Sequence, residues 1–281
     1  GTGVQLPLRS NESGYYTATL LQPGNYRIGV EMQGFRQTTR SGIRLEVGQV
    51  ARIDFVLTVG DLSEKVQVVG EAPLVASEEA SLGTIVDRRK ILELPLQGRD
   101  PLDLMTLAPG VLPNPRSPAA ANINGGRDAT TDILIDGAPT TKSDQGDSLM
   151  SPLLEGVEEF KVQTGSFGVE YGRSGGIVNV VTKSGTNDVH GSLFEFVRNN
   201  AFNANNFFFN ATGQGKAKLI YNQFGGSLGG PVFIPKLYNG RNRTFFFFSP
   251  QYTRTRGAGL RQTTIPTALE RAGDFRQSGT T

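Results

Sequence analysis

Cysteine and tryptophan are absent from this 281-residue sequence, and histidine occurs once, as His190. The lack of cysteine excludes disulfide bridges and thiolate metal sites. One histidine cannot supply the paired imidazoles of a typical zinc site. The formal net charge is only +2, which argues against a basic surface for nucleic acid. We therefore expect no metal, no cofactor and no nucleic-acid partner.

Long apolar runs are also missing. The longest, at residues 245–248, has four phenylalanines, whereas a membrane-spanning helix needs about 20 apolar residues. Any membrane segment of this chain would therefore consist of β-strands. The 36 glycines and 15 prolines favour short strands and many turns over long helices.

Catalytic arrangements are not recognisable either. His190 and Ser192 are two residues apart, so on a strand they share a face but lack the third member of a triad. A calcium-loop pattern at residues 132–137 fails, because Leu134 stands where an oxygen ligand is required. We expect that the chain is not an enzyme.

The most informative stretch covers residues 157–187. It contains two candidate strands, at 157–164 and 176–183, separated by a glycine-rich segment that includes Gly172, Gly175 and Gly176. We expect these glycines to let the chain reverse tightly. The second strand is rich in β-branched residues, which is typical of a strand buried on both faces.

The same stretch resembles the end of the plug domain of TonB-dependent outer-membrane receptors, in particular the Oar-like branch. The shared motif residues are Tyr171, Gly172, Gly175, Gly176 and Asn179, within the string GGIVNVVTK that ends at residue 183. The alternative, a β-hairpin of some other sheet protein, stays open at this stage.

Residues 1–60 alternate between apolar and polar positions at 26–32, 43–47 and 51–57, which predicts three half-buried strands. This part resembles a carboxypeptidase-regulatory-like domain, a transthyretin-like β-sandwich. The resemblance implies a recognition or spacer module, and a purely structural role is the alternative.

Residues 61–72 form a short linker that resembles a Ton box, the segment that TonB grips by strand addition. The residues concerned are Lys65, Val66, Gln67, Val68, Val69 and Gly70. The alternative interpretation is a last strand of the preceding sandwich, and both can hold in different states.

We assign residues 73–188 to the plug, with helices at 87–94 and 99–107, a loop at 112–122 and a strand at 132–135. Many plugs carry an Arg-Gly pair after the first strand of the motif, and that arginine pairs with barrel glutamates. Here Thr164-Gly165 occupies the place, so Arg127 or Arg173 is the candidate for a plug–barrel lock.

Residues 189–281 contain three runs of about ten residues, at 190–199, 218–229 and 243–255, the length of tilted membrane strands. In the second run, Ile220, Phe224 and Leu228 are expected to face lipid. Tyr221, Gln223 and Ser227 are expected to face the lumen. A soluble three-stranded meander is the alternative.

The expected fold is therefore mainly β with minor α: a transthyretin-like β-sandwich, an α+β plug, and the first strands of a truncated transmembrane antiparallel β-barrel. The resemblance implies energy-coupled uptake at the bacterial outer membrane, with the N-terminal domain in the periplasm. The implied partners are the TonB C-terminal domain, outer-membrane lipid and an unknown ligand. A surface adhesion or structural protein of the same architecture remains the alternative.

Overall fold

The computed structural model describes residues 1–60, 65–69, 82–96, 98–114, 117–127, 129–142, 148–166, 168, 171, 175–257 and 265–276. The described residues are mainly β, with a few short helices. The chain divides into two compact units, and each is described by itself. The first comprises Gly1–Ser192 and Gly226–Pro250, and the second comprises Leu193–Gly225 and Gln251–Thr281.

The N-terminal sheet of the first unit has three strands in the order β1-β2-β3. They are β1 (Gly24–Val30), β2 (Gln37–Leu45) and β3 (Lys65–Val69). β1 and β2 pair antiparallel, whereas β2 and β3 pair parallel. β1 confirms the first predicted strand, because it alternates between half-buried and exposed residues. β2 overlaps the second predicted run, 43–47, only at residues 43–45.

The third strand predicted for this sheet, at residues 51–57, is not formed. Ile53 is nevertheless buried, with Arg52 and Asp54 exposed on either side. The backbone carbonyl of Ile53 accepts a hydrogen bond from the Tyr16 hydroxyl at 2.6 Å. The alternation thus marks which side chains are buried, but this segment has no strand ladder.

The next elements are β4 (Leu82–Val86), α1 (Arg88–Glu93) and a 3-10 helix (Pro101–Leu107). The two predicted helices are confirmed, and the second is a 3-10 helix. The Asp87 carboxylate accepts from the Lys90 backbone N–H at 3.0 Å, and the Asp100 carboxylate accepts from that of Leu102 at 2.9 Å. Both are N-caps, which satisfy backbone donors at the helix start.

The predicted loop at 112–122 is wrong, because the chain forms a two-stranded hairpin there. Its strands are β5 (Val111–Asn114) and β6 (Ser117–Ile123). Val111, Ala121 and Ile123 are buried in the plug core. Prolines are tolerated because a two-stranded ribbon leaves outward N–H positions that need no partner.

A five-stranded mixed sheet forms the centre of the plug, in the order β4-β9-β10-β7-β8. The new strands are β7 (Thr131–Ile135), β8 (Ala138–Pro139), β9 (Val157–Gly165) and β10 (Gly176–Thr182). β10 pairs antiparallel with β9 and parallel with β7. A one-turn 3-10 helix, Leu154–Gly156, leads into β9.

The C-terminal part contains β11 (His190–Asn199), α2 (Phe207–Ala211), β12 (Leu219–Pro231), β13 (Phe233–Ile234), β14 (Tyr238–Asn239), β15 (Phe245–Phe248), β16 (Gln251–Gly257) and α3 (Ala268–Arg271). The first two predicted barrel strands are confirmed. The third, 243–255, is interrupted between Phe248 and Gln251, and both pieces pair antiparallel with β12. Among the described residues, no helix is long and apolar enough to cross a membrane.

Candidate functional site

The β9–β10 pair is the most deeply buried part of the plug. Phe160 and Val162 on β9 and Ile177, Val178 and Val180 on β10 have no exposed surface. The predicted β-branched strand is confirmed. Ile177 and Val178 face opposite sides of the sheet, so β10 is buried on both faces at its start, whereas positions 179 and 181 are only half-buried. Any rearrangement of the plug that separates these strands must expose this core.

The two motif glycines of β10 are required by close packing rather than by a turn. Neither Gly175 nor Gly176 has a positive φ. A Cβ on Gly175 would lie 2.9 Å from the Thr130 Oγ1, and one on Gly176 would lie 2.9 Å from the Ile123 Cβ. The expectation that they reverse the chain is therefore corrected: they let β6 and β7 approach the start of β10.

The remaining motif residues are placed only in part. The Tyr171 N–H donates to the carbonyl of Gly168 at 3.2 Å, and Asn179 lies opposite Lys161 of β9. Gly172 and Arg173 lie outside the described residues. Arg127 is exposed. The plug–barrel lock stays a prediction.

A buried ion pair, which sequence reasoning missed, fixes the entry to β9. Arg99 and Glu155 form a salt bridge, and their side chains are only 13% and 10% exposed. The Lys183 ammonium donates to the Glu155 carbonyl oxygen. Burial, with Arg88 nearby, lowers the pKa of Lys183 from 10.5 to about 8. The site thus joins the segments on either side of the β9–β10 pair.

A second missed contact ties the β7–β8 turn to the end of β10. Asp136 Oδ1 accepts from the Thr182 N–H at 2.9 Å, and Oδ2 accepts from the Thr182 hydroxyl at 2.7 Å. Asp136 and Gly137 both have positive φ, as a tight hairpin turn requires. The Asp-Gly pair is a sequence signal for the turn, but the sequence does not indicate that Thr182 is the hydrogen-bond partner of Asp136.

The Ton-box-like residues are found on the N-terminal sheet. Residues Lys65–Val69 form β3, the outer strand next to β2, in a parallel register from Gln37 opposite Lys65 to Ser41 opposite Val69. Gly70 lies outside the described residues. The segment is extended and held through its backbone, the conformation that strand addition uses.

The N-terminal sheet is joined to the plug by a buried hydrogen bond. The Val47 N–H donates to the Glu159 carboxylate at 2.5 Å, and the two residues are 2% and 5% exposed. Burial raises the pKa of Glu159, and the Val47 N–H partly offsets this. Val47 lies two residues after the end of β2 and Glu159 lies on β9, so the contact links the two sheets.

The residues considered for catalysis make other contacts. The Ser192 Oγ lies 2.9 Å from the Ser227 Oγ, and the His190 Nδ1 lies 2.8 Å from the Asp188 carbonyl oxygen. In the part of the chain that the structure describes, no three histidine or acidic side chains are grouped to hold a metal ion.

Comparison with protein families gives three matches in chain order. Residues 1–58 match the carboxypeptidase regulatory-like domain, residues 77–177 the TonB-dependent receptor plug domain, and residues 181–281 an outer membrane beta barrel domain. The chain carries these three modules in the order expected for a TonB-dependent outer-membrane receptor.

Among curated proteins, the chain is 29% identical over 262 residues to the TonB-dependent transporter Oar of Myxococcus xanthus, covering 87% of this chain and 24% of Oar. The chain is thus similar to a member of the Oar-like branch, and it spans about a quarter of the length of this relative. These modules place the protein in the bacterial outer membrane, with the N-terminal part on the periplasmic side.

The solved structures that are similar to this chain include two siderophore receptors called PirA. That of Pseudomonas aeruginosa is 22% identical with a TM-score of 0.41, covering 63% of this chain and 28% of its own. That of Acinetobacter baumannii is 19% identical with a TM-score of 0.45, covering 67% and 26%.

Proposed function

We propose that this chain is the N-terminal part of an energy-coupled transporter, in which TonB acts on a plug inside a β-barrel to admit a large or scarce substrate. The observation that carries the proposal is the state of residues 65–69. They form an extended, backbone-paired strand ahead of the plug, and strand addition requires such a segment. The TonB C-terminal domain is the proposed partner, and it binds Lys65 to Gly70.

The plug sheet is the proposed gate. Its central strand β10 carries three fully buried side chains, and the Arg99–Glu155 pair and Lys183 hold its surroundings in place. Breaking a buried ion pair costs about 3–5 kcal/mol. A plug built this way stays closed until an external force is applied, which is the property that energy coupling needs.

The C-terminal strands have an apolar face suited to lipid. Phe224 and Leu228 of β12 are exposed, whereas Gln223, the residue before Phe224, is buried. Phe224 stacks on Tyr252 with ring centroids 5.8 Å apart, and Leu228 lies opposite Phe248. Exposed apolar side chains that alternate with sheltered polar ones are typical of a strand in a membrane barrel. We propose that this face contacts outer-membrane lipid.

The direct test is binding of a peptide spanning residues 64–72 to the TonB C-terminal domain of the same organism, measured by calorimetry. Val68→Pro removes a backbone donor and should weaken binding by about tenfold, the loss of roughly one well-formed hydrogen bond. Gln67→Ala leaves the backbone intact and is the matched control. A wild-type peptide without measurable affinity would contradict the proposal.

A further inference from the structure

We infer that the N-terminal module is a brake on TonB engagement: it holds residues 65–69 as its own third strand, and Glu159 fastens the module to the plug. The inference rests on the proposed function, since it concerns access to the same segment. It assigns a role to the β2 edge and to Glu159.

The first step is the pairing of β3. Five consecutive residues, from Lys65 to Val69, pair with β2 in register. The backbone groups on that side of β3 are therefore already used, and TonB can take this side only when β3 leaves β2. A short parallel edge pairing is weaker than an antiparallel one, so β3 is held but can be displaced.

The second step is the anchoring of β2. Residues 46–49, directly after β2, form a tight turn in which the Glu46 N–H donates to the Gln49 side chain at 3.0 Å and the Gln49 N–H donates to the Glu46 carbonyl at 3.1 Å. This turn presents the Val47 N–H to Glu159. Because the contact is almost fully buried, it fixes the module on the plug.

The two steps act in series. While Glu159 holds the turn, β2 stays against the plug, and while β2 is in place, β3 has a partner within the chain. TonB therefore competes with β2. The apparent association constant for TonB equals that of the free segment multiplied by the fraction of molecules in which β3 is free.

The experiment uses disulfides, because the sequence has no cysteine that would mispair. Thr39 and Gln67 are opposite each other on β2 and β3, a spacing that a disulfide spans. The double variant Thr39→Cys/Gln67→Cys locks β3 onto β2 when oxidised. The control Asn25→Cys/Arg44→Cys joins β1 to β2 and leaves β3 untouched.

Binding of the TonB C-terminal domain is measured on the purified full-length protein in detergent, oxidised and reduced. Oxidation of the 39–67 pair should lower TonB binding below detection, because the disulfide takes the fraction of molecules with a free β3 towards zero. Reduction should restore binding, and the control pair should show no difference. Equal binding of the locked form would overturn the inference, since TonB would then use the outer edge of β3.

The anchoring step has its own test. Glu159→Ala should strengthen TonB binding and accelerate hydrogen exchange in residues 37–45, whereas Glu158→Ala, a change at the next position, should do neither. If Glu159→Ala behaves as the wild type in both assays, the anchor is refuted. The free 64–72 peptide distinguishes failure of the brake from failure of the proposed function. If the peptide binds TonB and the 39–67 disulfide does not change binding, only the brake is refuted. If the peptide does not bind, both proposals fall.

Discussion

Neutralising Glu155 should loosen the plug far more than neutralising an exposed glutamate nearby. The change Glu155→Gln keeps the size of the side chain and removes its charge. The Arg99 guanidinium then loses its carboxylate partner while both side chains remain nearly buried, at 13% and 10% exposure.

The size of the effect follows from burial. Removing one member of a buried ion pair costs about 3–5 kcal/mol. Glutamine still accepts a hydrogen bond, so we expect about 2–3 kcal/mol, the value of a hydrogen bond to a charged group. Arg89 and Glu93 form an i,i+4 pair with side chains 83% and 64% exposed. Such pairs contribute about 0.3–0.5 kcal/mol, so Glu93→Gln is the matched control.

The assay is hydrogen exchange with mass spectrometry on peptides from β9 and β10, which report local opening of the plug. A loss of about 2–3 kcal/mol accelerates exchange about 30- to 150-fold, whereas the control should change it by about twofold. If Glu155→Gln accelerates exchange no more than Glu93→Gln does, the ion pair does not stabilise the plug and the reasoning is wrong.

Three further outcomes are expected. Gly176→Ala should destabilise the plug by about 1–3 kcal/mol through overpacking against Ile123. Gly165→Ala should change exchange in β9 little, because its Cβ would lie 4.0 Å from the Leu82 side chain, an ordinary contact distance. Phe160→Ala should cost about 3–5 kcal/mol, and a loss under about 1 kcal/mol would contradict its full burial. The Lys183 amine should titrate near pH 8 in residue-resolved acylation measured by mass spectrometry; a midpoint near 10.5 would contradict its burial. Because this pKa is lowered on folding, the unfolded chain binds more protons between pH 8 and 10.5, and plug stability should rise with pH across that window.

The sequence predicted elements whose cause is local. The helix starts have local causes, because the Asp87 and Asp100 carboxylates cap backbone donors a few residues away and Pro101 suits the first turn. The β-branched residues of β10 predicted a buried strand for a similar reason: they pack well on a pleated surface. In both cases the information lies within a few residues of the element.

Contacts between distant residues could not be predicted this way. Arg99 and Glu155 are 56 residues apart, and Val47 and Glu159 are 112 apart, so no spacing rule brings them together. The β5–β6 hairpin was missed because its proline and alanine content suggests a loop. Burial of Val111 and Ile123 in the plug core outweighs that local preference.

The strand order β4-β9-β10-β7-β8 has a consequence for biogenesis. The strand that unites the two halves of this sheet is the last of the five to leave the ribosome and cross the inner membrane. Until residue 182 has been exported, the β4–β9 and β7–β8 pairs lack the strand that joins them, and each has an open edge. Only residues 183–189 then separate the completed sheet from β11, so the plug sheet and the first strand of the C-terminal part emerge from the inner membrane almost together.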